Sequence, residues 1–414
     1  MSNAHTAPSP LRQQDPEVAA WLQREDKRQA STLTLIASEN HCSAAVREAS
    51  ASRITDKYAE GYPAKRYYGG CEVADGVEEL ARQRARQLFA GAEDANVQPH
   101  SGTTANLSAL LALAGPNGRI VGMALKAGGH LSHGHDKSHT GMVFQAKQYG
   151  VDGTGRIDLD EVRRVCKEHQ PKVLIAGGSS YARTIDYAAF AAIAREVGAV
   201  LLADIAHPAG LMAAGVIPGP IGIADVVTMT THKTLRGPRG GMILAKKDLA
   251  KQINSSVFPG SQGGPLVQQI AAKAVAFGEA LRPEFKAYQQ RVKENAAFLA
   301  ERLLAAGLDL VTGGTDNHIV LVDLRKTDVT GAQVEERALA AGLSVNKNAV
   351  PGDPRPPMVT SGLRLGTAAV TTRGFGRSEI ATIADVIVGL VRGGDAERFR
   401  ATIQGLCEAF PLPN

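Results

Sequence analysis

The stretch Val226-Val227-Thr228-Met229-Thr230-Thr231-His232-Lys233-Thr234 carries more information than any other segment of this chain. Its apolar, β-branched residues predict a buried strand, which ends in hydroxyls, a histidine and one lysine. A lysine just beyond a strand end can point its amine into a crevice and form a Schiff base with a carbonyl, provided that its surroundings lower its pKa. Taken alone, the segment favours a simpler interpretation, a solvated lysine at a strand terminus.

Short apolar runs alternate with helical patterns on the N-terminal side of this strand. Continuous apolar strands between helices predict a mostly parallel sheet that is covered on both faces, with ligands bound beyond the carboxyl ends of the strands. The predicted strands are 119–123, 172–176, 199–203 and 225–228, and the predicted helices between them are 158–169 and 187–197.

The length of 414 residues predicts two domains, because one simple core rarely grows so large. Residues 1–15, rich in Pro, Ser and Gln, predict a flexible arm. We expect an N-terminal helix and a large domain over residues 16–282, and a smaller C-terminal α/β domain over 283–414. The predicted elements of the small domain are helices 283–306 and 378–392 and strands 318–324, 343–346 and 363–365.

Composition excludes several classes of protein. The 46 basic residues exceed the 41 acidic ones by only five, and no dense Lys/Arg block is present, so nucleic-acid binding is not expected. No apolar run is long enough to span a bilayer, and the N-terminus does not have the pattern of a secretory signal. The four cysteines form no CxxC pair, which favours a reducing compartment. We therefore expect a cytoplasmic protein.

Two further segments place polar groups where a ligand could bind. His100-Ser101-Gly102-Thr103-Thr104-Ala105-Asn106 opens an Ala/Leu-rich helix, whose first N–H groups can bind a phosphate, although a plain capping box is an equal alternative. Leu201-Leu202-Ala203-Asp204-Ile205-Ala206-His207 brings Asp204 to a strand end. A carboxylate there can pair with a protonated ring nitrogen, although a capping aspartate is the commoner case.

The order of these three segments along the chain is the useful observation. A helix N-terminus, a strand-end aspartate and a strand-end lysine offer one group each for the phosphate, the pyridinium nitrogen and the aldehyde of pyridoxal 5′-phosphate. The sequence therefore predicts this cofactor, with Lys233 as its point of attachment.

Several longer blocks of this sequence form a distinctive set. They are Leu35-Ile36-Ala37-Ser38-Glu39-Asn40, Tyr58-Ala59-Glu60-Gly61-Tyr62-Pro63, Arg66-Tyr67-Tyr68-Gly69-Gly70, Thr230 to Gly241, Phe258 to Pro265 and Thr360 to Thr367. These blocks resemble the serine hydroxymethyltransferase family, and the resemblance covers nearly the whole chain from Asp15. It implies the aspartate-aminotransferase-like fold (PLP fold type I), with a mostly parallel seven-stranded sheet between helices in the large domain and a smaller α/β domain. It also implies a homodimer with shared active sites.

The resemblance implies a role for each cofactor-binding residue. Lys233 is the Schiff-base lysine, Asp204 the pyridinium partner, and His130 the imidazole that stacks on the ring. Ser179 and His207 lie on the side of the ring hydroxyl. The phosphate contacts are Gly102, Thr103 and His232, with Tyr58, Gly263 and Gly264 reaching it from the neighbouring subunit.

The resemblance also implies the substrates, which are serine or glycine and tetrahydrofolate, with reversible formation of 5,10-methylenetetrahydrofolate. Arg364 forms a bidentate clamp on the substrate carboxylate, which Ser38 assists. Glu60 handles the proton at the hydroxymethyl group, because a carboxyl group enclosed near aromatic rings can donate one. Tyr67 and Tyr68 assist, one near the reacting carbon and one against the folate. The other folate contacts are Leu125, Gly129, Leu131 and Asn348.

Some positions depart from the family pattern. Ala127, Thr103-Thr104 and Ser52-Arg53 differ from the common residues, and the loop after Leu131 carries extra histidines. His133, His135 and His139 resemble a metal site, but the family needs no metal and none is expected. Three alternatives remain. The enzyme could prefer an α-methylated serine, it could be a folate-independent aldolase or transaldolase of β-hydroxy amino acids, or the chain could be a non-catalytic cofactor-binding protein. The last is disfavoured because Lys233 and Arg364 are both present.

Overall fold

The computed structural model describes residues 9–413, which form sixteen α-helices and fifteen β-strands. The helices are α1 (Pro10–Gln14), α2 (Pro16–Ser31), α3 (Ala44–Ser50), α4 (Glu72–Leu88), α5 (Gly102–Ala114), α6 (His139–Val143), α7 (Leu159–His169), α8 (Tyr187–Glu196), α9 (Ala209–Ala213), α10 (Lys247–Ser255), α11 (Val267–Ala280), α12 (Pro283–Ala305), α13 (Gly331–Ala340), α14 (Ala368–Thr372), α15 (Arg377–Val391) and α16 (Ala396–Ala409). The strands are β1 (Leu33–Thr34), β2 (Gly61–Tyr62), β3 (Lys65–Arg66), β4 (Asp94–Asn96), β5 (Arg119–Met123), β6 (Gln145–Tyr149), β7 (Val173–Gly177), β8 (Val200–Asp204), β9 (Val226–Thr230), β10 (Gly241–Ala245), β11 (Asp309–Leu310), β12 (Ile319–Asp323), β13 (Leu343–Ser344), β14 (Asn346–Asn348) and β15 (Gly362–Gly366).

The large sheet has seven strands in the order β4-β10-β9-β8-β7-β5-β6. Strand β10 runs antiparallel to both of its neighbours, and the remaining adjacent pairs are parallel. The mostly parallel seven-stranded sheet that the sequence predicts is therefore confirmed. Register places Gly177 beside Asp204 and Asp204 beside Thr228, so the ends of three strands meet at one edge.

Helices cover both faces of this sheet, and strand β7 shows why its sequence is apolar throughout. Val173 and Ile175 pack into the core on one face, whereas Leu174 and Ala176 pack into the core on the other. Because successive side chains of a strand point to opposite faces, a strand buried on both sides has no polar alternation.

The predicted strands and helices agree with the structure to within a few residues, with one exception. The exception is the segment 59–76, which is rich in Gly, Tyr and Pro and has no regular period, so the sequence predicts no helix or strand there; β2 and β3 nevertheless form a short hairpin within it, and α4 begins at Glu72. Two-residue strands leave no period to detect. Glu72 and Asp75 lie in the first turn of α4, where acidic side chains interact favourably with the helix dipole.

The C-terminal part of the chain forms a four-stranded antiparallel sheet in the order β11-β12-β15-β14. Its core also includes Leu33 and Leu35, because β1 pairs with β13. Helix α12 contributes to both cores, through Phe285 near its start and Leu299 further along. The division at residue 283 stays a prediction, and α12 is the element that connects the two parts.

The predicted flexible arm, residues 1–15, lies largely outside the described residues, and its described part contains α1. Between residues 9 and 413, none of the helices has the length and apolar character needed to cross a membrane.

Candidate active site

A cavity of about 280 Å³ opens at the edge where the strands of the large sheet end. Ten of the residues that the sequence predicts as site residues line it, together with Ser101, Asn106 and Arg239. The ten are Ser38, Gly102, Thr103, His130, Ser179, Asp204, His207, His232, Lys233 and Arg364.

One wall of the cavity is the N-terminus of α5. The Ser101 hydroxyl accepts a hydrogen bond from the Thr104 N–H at 3.1 Å, so the expected cap is present. The N–H groups of Gly102 and Thr103, the two residues before Thr104, have no acceptor within the helix. A Cβ atom at Gly102 would lie 2.7 Å from Thr230 Cγ2, so only glycine lets α5 approach β9 this closely. The cap therefore leaves two N–H groups of this turn available to an anion.

Asp204, at the end of β8, is buried in a network of donors. Its Oδ2 atom accepts hydrogen bonds from Asn106 Nδ2 at 2.8 Å and His133 Nε2 at 2.9 Å, and its Oδ1 atom accepts one from the Ala206 N–H. Burial alone would raise the pKa of Asp204, but the hydrogen bond and charge of His133 outweigh it and lower the pKa below its usual range. The carboxylate therefore stays ionised, as a pyridinium partner must.

His133 is a member of this site that the sequence analysis assigned only to a possible metal cluster. It is fully buried against Asp204, while His130 Nδ1 lies 2.7 Å from Ser132 Oγ. His135 lies beside Asp136 instead, and residues 9–413 contain no group of three potential metal ligands. The spacing of His130 and His133, one turn apart, was the signal that both rings face the same site.

Lys233 lies just beyond β9 and is only 8% exposed. Burial lowers its pKa to about 8; the Asp204 carboxylate opposes this shift, and the charges of Arg364 and Arg239 add to it. No group among residues 9–413 forms a hydrogen bond with its Nζ atom, whereas its backbone carbonyl accepts one from Asn40 Nδ2 at 2.9 Å. The structure thus meets the condition that the sequence analysis set for a reactive amine.

Arg364, on β15, faces the cavity without an acidic partner among the described residues. Its Nη1 atom donates to the Ser179 carbonyl at 3.0 Å, and its Nε atom donates to Asn346 Oδ1 at 3.1 Å. Burial lowers the pKa of Arg364 to about 10, which still leaves the guanidinium charged at neutral pH. An unpaired, half-buried guanidinium has the geometry to bind a carboxylate.

Comparison with known proteins agrees with this geometry. The family model of serine hydroxymethyltransferase matches residues 11–387. The chain is 53% identical over 405 residues to serine hydroxymethyltransferase of Acinetobacter baylyi, covering 96% of this chain and 97% of the relative. It is 52% identical to the enzyme of Acinetobacter baumannii over the same shares of both chains.

The chain belongs to the serine hydroxymethyltransferase family. It is therefore a pyridoxal-phosphate-dependent transferase of PLP fold type I, and its substrates are serine or glycine and tetrahydrofolate. The family is homodimeric. These conclusions confirm the predicted fold class, activity, cofactor and co-substrate.

A buried histidine pair begins at the wall of the serine hydroxymethyltransferase cavity, where His207 lines it, and continues to His318. The rings of His207 and His318 are stacked, with centroids 5.5 Å apart, and His207 Nε2 lies 3.4 Å from Ser179 Oγ. Burial, followed by the nearby charge of Lys233, lowers the pKa of His318 to about 3 and that of His207 well below its usual range. Both rings are therefore neutral. His318 comes from the small domain, and no local pattern in the sequence indicates it.

The predicted catalytic residues Glu60 and Tyr68 and the predicted phosphate contacts Tyr58, Gly263 and Gly264 form a second cluster, which does not line the cavity of its own chain. Tyr58 Oη lies 3.3 Å from Glu60 Oε1, and the Tyr58 and Tyr68 rings are 5.3 Å apart. Gly263 and Gly264 pack against Glu60 and Tyr58. The Glu60 charge raises the pKa of Tyr68, and its neighbour Tyr67 is 73% exposed. The Lys233 cavity and the Glu60 cluster are therefore two separate groups of predicted site residues in one chain, which we call its two half-sites.

Arg66 holds the loop that carries this second cluster. Its Nη1 atom donates to the carbonyls of Ala59 and Gly61 at 2.9 and 2.8 Å, on either side of Glu60. Its other nitrogens form ion pairs with Asp75 at 2.8 Å and Glu78 at 2.7 Å. Arg66 lies within one of the blocks that resemble the family, but the resemblance implies no role for it.

The predicted folate contacts are not brought together at the Lys233 cavity. Leu125 and Leu131 are exposed, Gly129 is buried against the backbone of Met123, and Asn348 donates to the Ala349 carbonyl at 2.7 Å. A larger cleft of about 930 Å³, lined by residues 124, 126 and 127 and by the small domain, lies beside Leu125. The four folate contacts stay a prediction.

Proposed function

We propose that hydroxymethyl transfer takes place in the Lys233 cavity, with the residues that line it holding cofactor and amino acid. The observation that carries this proposal is the convergence of three groups on one cavity of about 280 Å³: the free N–H groups of α5, the Asp204 carboxylate and the Lys233 amine. These groups suit the phosphate, the ring nitrogen and the aldehyde of pyridoxal phosphate, respectively, and the unpaired Arg364 suits the carboxylate of the amino acid.

The residues present suit the cofactor. The N–H groups of Gly102 and Thr103, with His232 of the same cavity, would bind the phosphate. Asp204 would keep the ring nitrogen protonated, and His130 would contact the ring. When bound, pyridoxal phosphate supplies an aldehyde that amines condense with and a protonated ring that withdraws electrons from the α-carbon of the amino acid.

The substrate half of the cavity is built around a guanidinium. Arg364 binds the carboxylate of serine or glycine through two parallel charge-assisted hydrogen bonds, and Ser38, which lines the same cavity, assists. Ser179 contacts both Arg364 and His207, so it links the carboxylate clamp to the side of the ring hydroxyl. Because His207 is neutral, it can accept or donate a hydrogen bond there without adding charge.

Glu60 handles the proton at the hydroxymethyl oxygen, and we infer that it does so from the neighbouring subunit. Its exposed cluster with Tyr58, Tyr67 and Tyr68 lies outside its own cavity, and the family is homodimeric. Closure of the dimer would place this cluster, with Gly263 and Gly264, over the cavity of the partner and exclude water from it.

We also propose a cytoplasmic location. Cys42, Cys71, Cys166 and Cys407 are all unpaired, which supports a reducing compartment.

The proposed function is tested with the purified dimer by following glycine and methylenetetrahydrofolate formation from serine. We expect turnover to require folate, and the visible spectrum of the glycine complex to change when tetrahydrofolate is added. Lys233→Ala should lose the absorption of the attached cofactor, whereas the surface control Lys246→Ala should keep it. Acetaldehyde release from threonine without any folate response would instead support a folate-independent aldolase.

A further inference from the structure

A second buried lysine, which the reaction does not use, lies in α11. Lys273 is 2% exposed, and its Nζ atom donates to the carbonyls of Val97 at 2.6 Å, Pro99 at 3.1 Å and Gly241 at 2.8 Å. An ammonium has three N–H donors, so all of them are used. No carboxylate of the described residues lies within ion-pair distance of it, although the charge of Glu78 partly opposes the lowering of its pKa by burial.

The three carbonyls belong to the two segments that frame the cofactor cavity. Val97 and Pro99 lie on the connection between β4 and the Ser101 cap of α5, whereas Gly241 opens β10 shortly after Lys233. The Pro99 carbonyl also accepts the Gly241 N–H at 2.9 Å. Lys273 therefore connects residues 97–101, which lead into the predicted phosphate site, to β10, which follows the loop that carries Lys233.

Close packing couples the position of Gly241 to that of the Ser101–Gly102 peptide. The space that a Cβ atom would need at Gly241 is taken by the Ser101 carbonyl and the Gly102 nitrogen. A Cβ atom at Gly240 would lie 2.5 Å from Lys273 Cε. Neither glycine can therefore carry a side chain without displacing a neighbour, because Gly240 lies against Lys273 and Gly241 lies against the Ser101–Gly102 peptide. Any displacement of Gly241 moves the N–H groups that face the cavity.

We propose that Lys273 is a positioning residue for the cofactor phosphate, acting through Pro99 and Gly241 on the Ser101–Gly102 peptide. Lys273 itself does not line the cavity. The inference rests on the proposed function, in which the phosphate binds at the N-terminus of α5. It requires that loss of Lys273 weakens binding of the phosphate specifically, rather than binding of the aldehyde or the ring.

The test compares two ligands that differ only in the phosphate. The full-length dimer is stripped of cofactor and titrated with pyridoxal 5′-phosphate or with pyridoxal, and binding is followed by visible absorption. Lys273→Met should raise the Kd for pyridoxal phosphate about tenfold or more, because buried carbonyls lose their donor, and change the Kd for pyridoxal by less than about twofold. Asn295→Leu is the matched control, since it removes a buried amide that bonds Thr371 and Phe375, away from the cavity.

Gly102→Ala tests the phosphate placement separately, because its Cβ atom would lie 2.7 Å from Thr230 Cγ2 and would displace the N–H groups at the predicted phosphate site. If it reduces the preference for the phosphorylated ligand while Lys273→Met does not, the role of Lys273 is overturned and the proposed function stands. If Gly102→Ala leaves the preference unchanged, the phosphate placement fails and the inference fails with it. Equal weakening of both ligands by Lys273→Met also overturns it. Should Lys273→Met not fold, Gly240→Ala, which displaces the ammonium, must give the same selective loss.

Discussion

A mixed dimer of one Glu60→Gln subunit and one Lys233→Ala subunit should have an activity that neither variant has alone. The two residues belong to different half-sites of one chain, because Lys233 lines the cavity and Glu60 does not. In a mixed dimer, one composite site receives both substitutions and the other receives neither. Restored activity therefore measures whether the half-sites combine across the dimer.

The expected magnitude follows from the two-fold symmetry of a dimer. One of two sites is intact, so the purified mixed dimer should have about half of the wild-type kcat per dimer. A random equimolar mixture contains mixed dimers as half of its population, so unfractionated material should show about a quarter. The KM for serine should stay at the wild-type value, because the intact site has all of its residues.

The assay uses two affinity tags, one for each variant, so that tandem purification yields only mixed dimers. The control is a mixed dimer of wild-type and doubly substituted subunits. If the half-sites combine across the dimer, each of its two sites receives one substitution, and the control is inactive. If each chain uses its own Glu60, the control retains about half of the activity and the complementing pair has none. That reversed pattern would refute the reasoning.

Three further predictions concern single groups of the site. Arg364→Lys should raise the KM for serine about tenfold or more without changing the absorption of the bound cofactor, because lysine cannot form the bidentate contact; an unchanged KM contradicts the clamp. Arg66→Met should lower the free energy of unfolding by about 3–5 kcal/mol in a urea titration, since it leaves Glu78 buried without its partner, and it should lower kcat while the cofactor spectrum stays unchanged. The rate at which the cofactor-free protein captures pyridoxal phosphate should rise about tenfold per pH unit and level off above pH 8, because the neutral Lys233 amine is the reactive form and its pKa is about 8. A stopped-flow rate that continues to rise towards pH 10 would contradict the lowered pKa.

Much of the large domain could be predicted because its signals are local. Strand β5 lies where the apolar run 119–123 predicts it, and β7, β8 and β9 begin within one residue of their predicted starts. Asp204 and Lys233 each follow such a strand directly, and parallel strands present their carboxyl ends at one edge. Position along the chain was therefore enough to bring these two residues together.

The supporting contacts could not be predicted, because they join residues that are far apart in sequence. His318 lies 111 positions from His207, and Lys273 lies 176 positions from Val97. Each occurs in a stretch that also suits an ordinary core element, so nothing local marks it as part of the site. His133 was assigned to a possible metal site because its residue type suggested a ligand, whereas its partner, Asp204, is 71 positions away.

The two half-sites differ in how their polar groups are satisfied, and this difference indicates what dimerisation contributes. Asp204, Asn106 and Lys273, which are buried at or near the cofactor cavity, have their hydrogen bonds within one chain. Tyr67 and Tyr68, in contrast, are exposed, and Glu60 is only partly buried until another surface covers it. A single chain can therefore hold the shape that binds the cofactor, but it cannot by itself exclude water from the group that handles the proton. Dilution to monomers should consequently abolish transfer, which needs the proton-handling group of the second surface, and it should weaken cofactor binding only in part, because Tyr58, Gly263 and Gly264 are predicted to reach the phosphate from that surface.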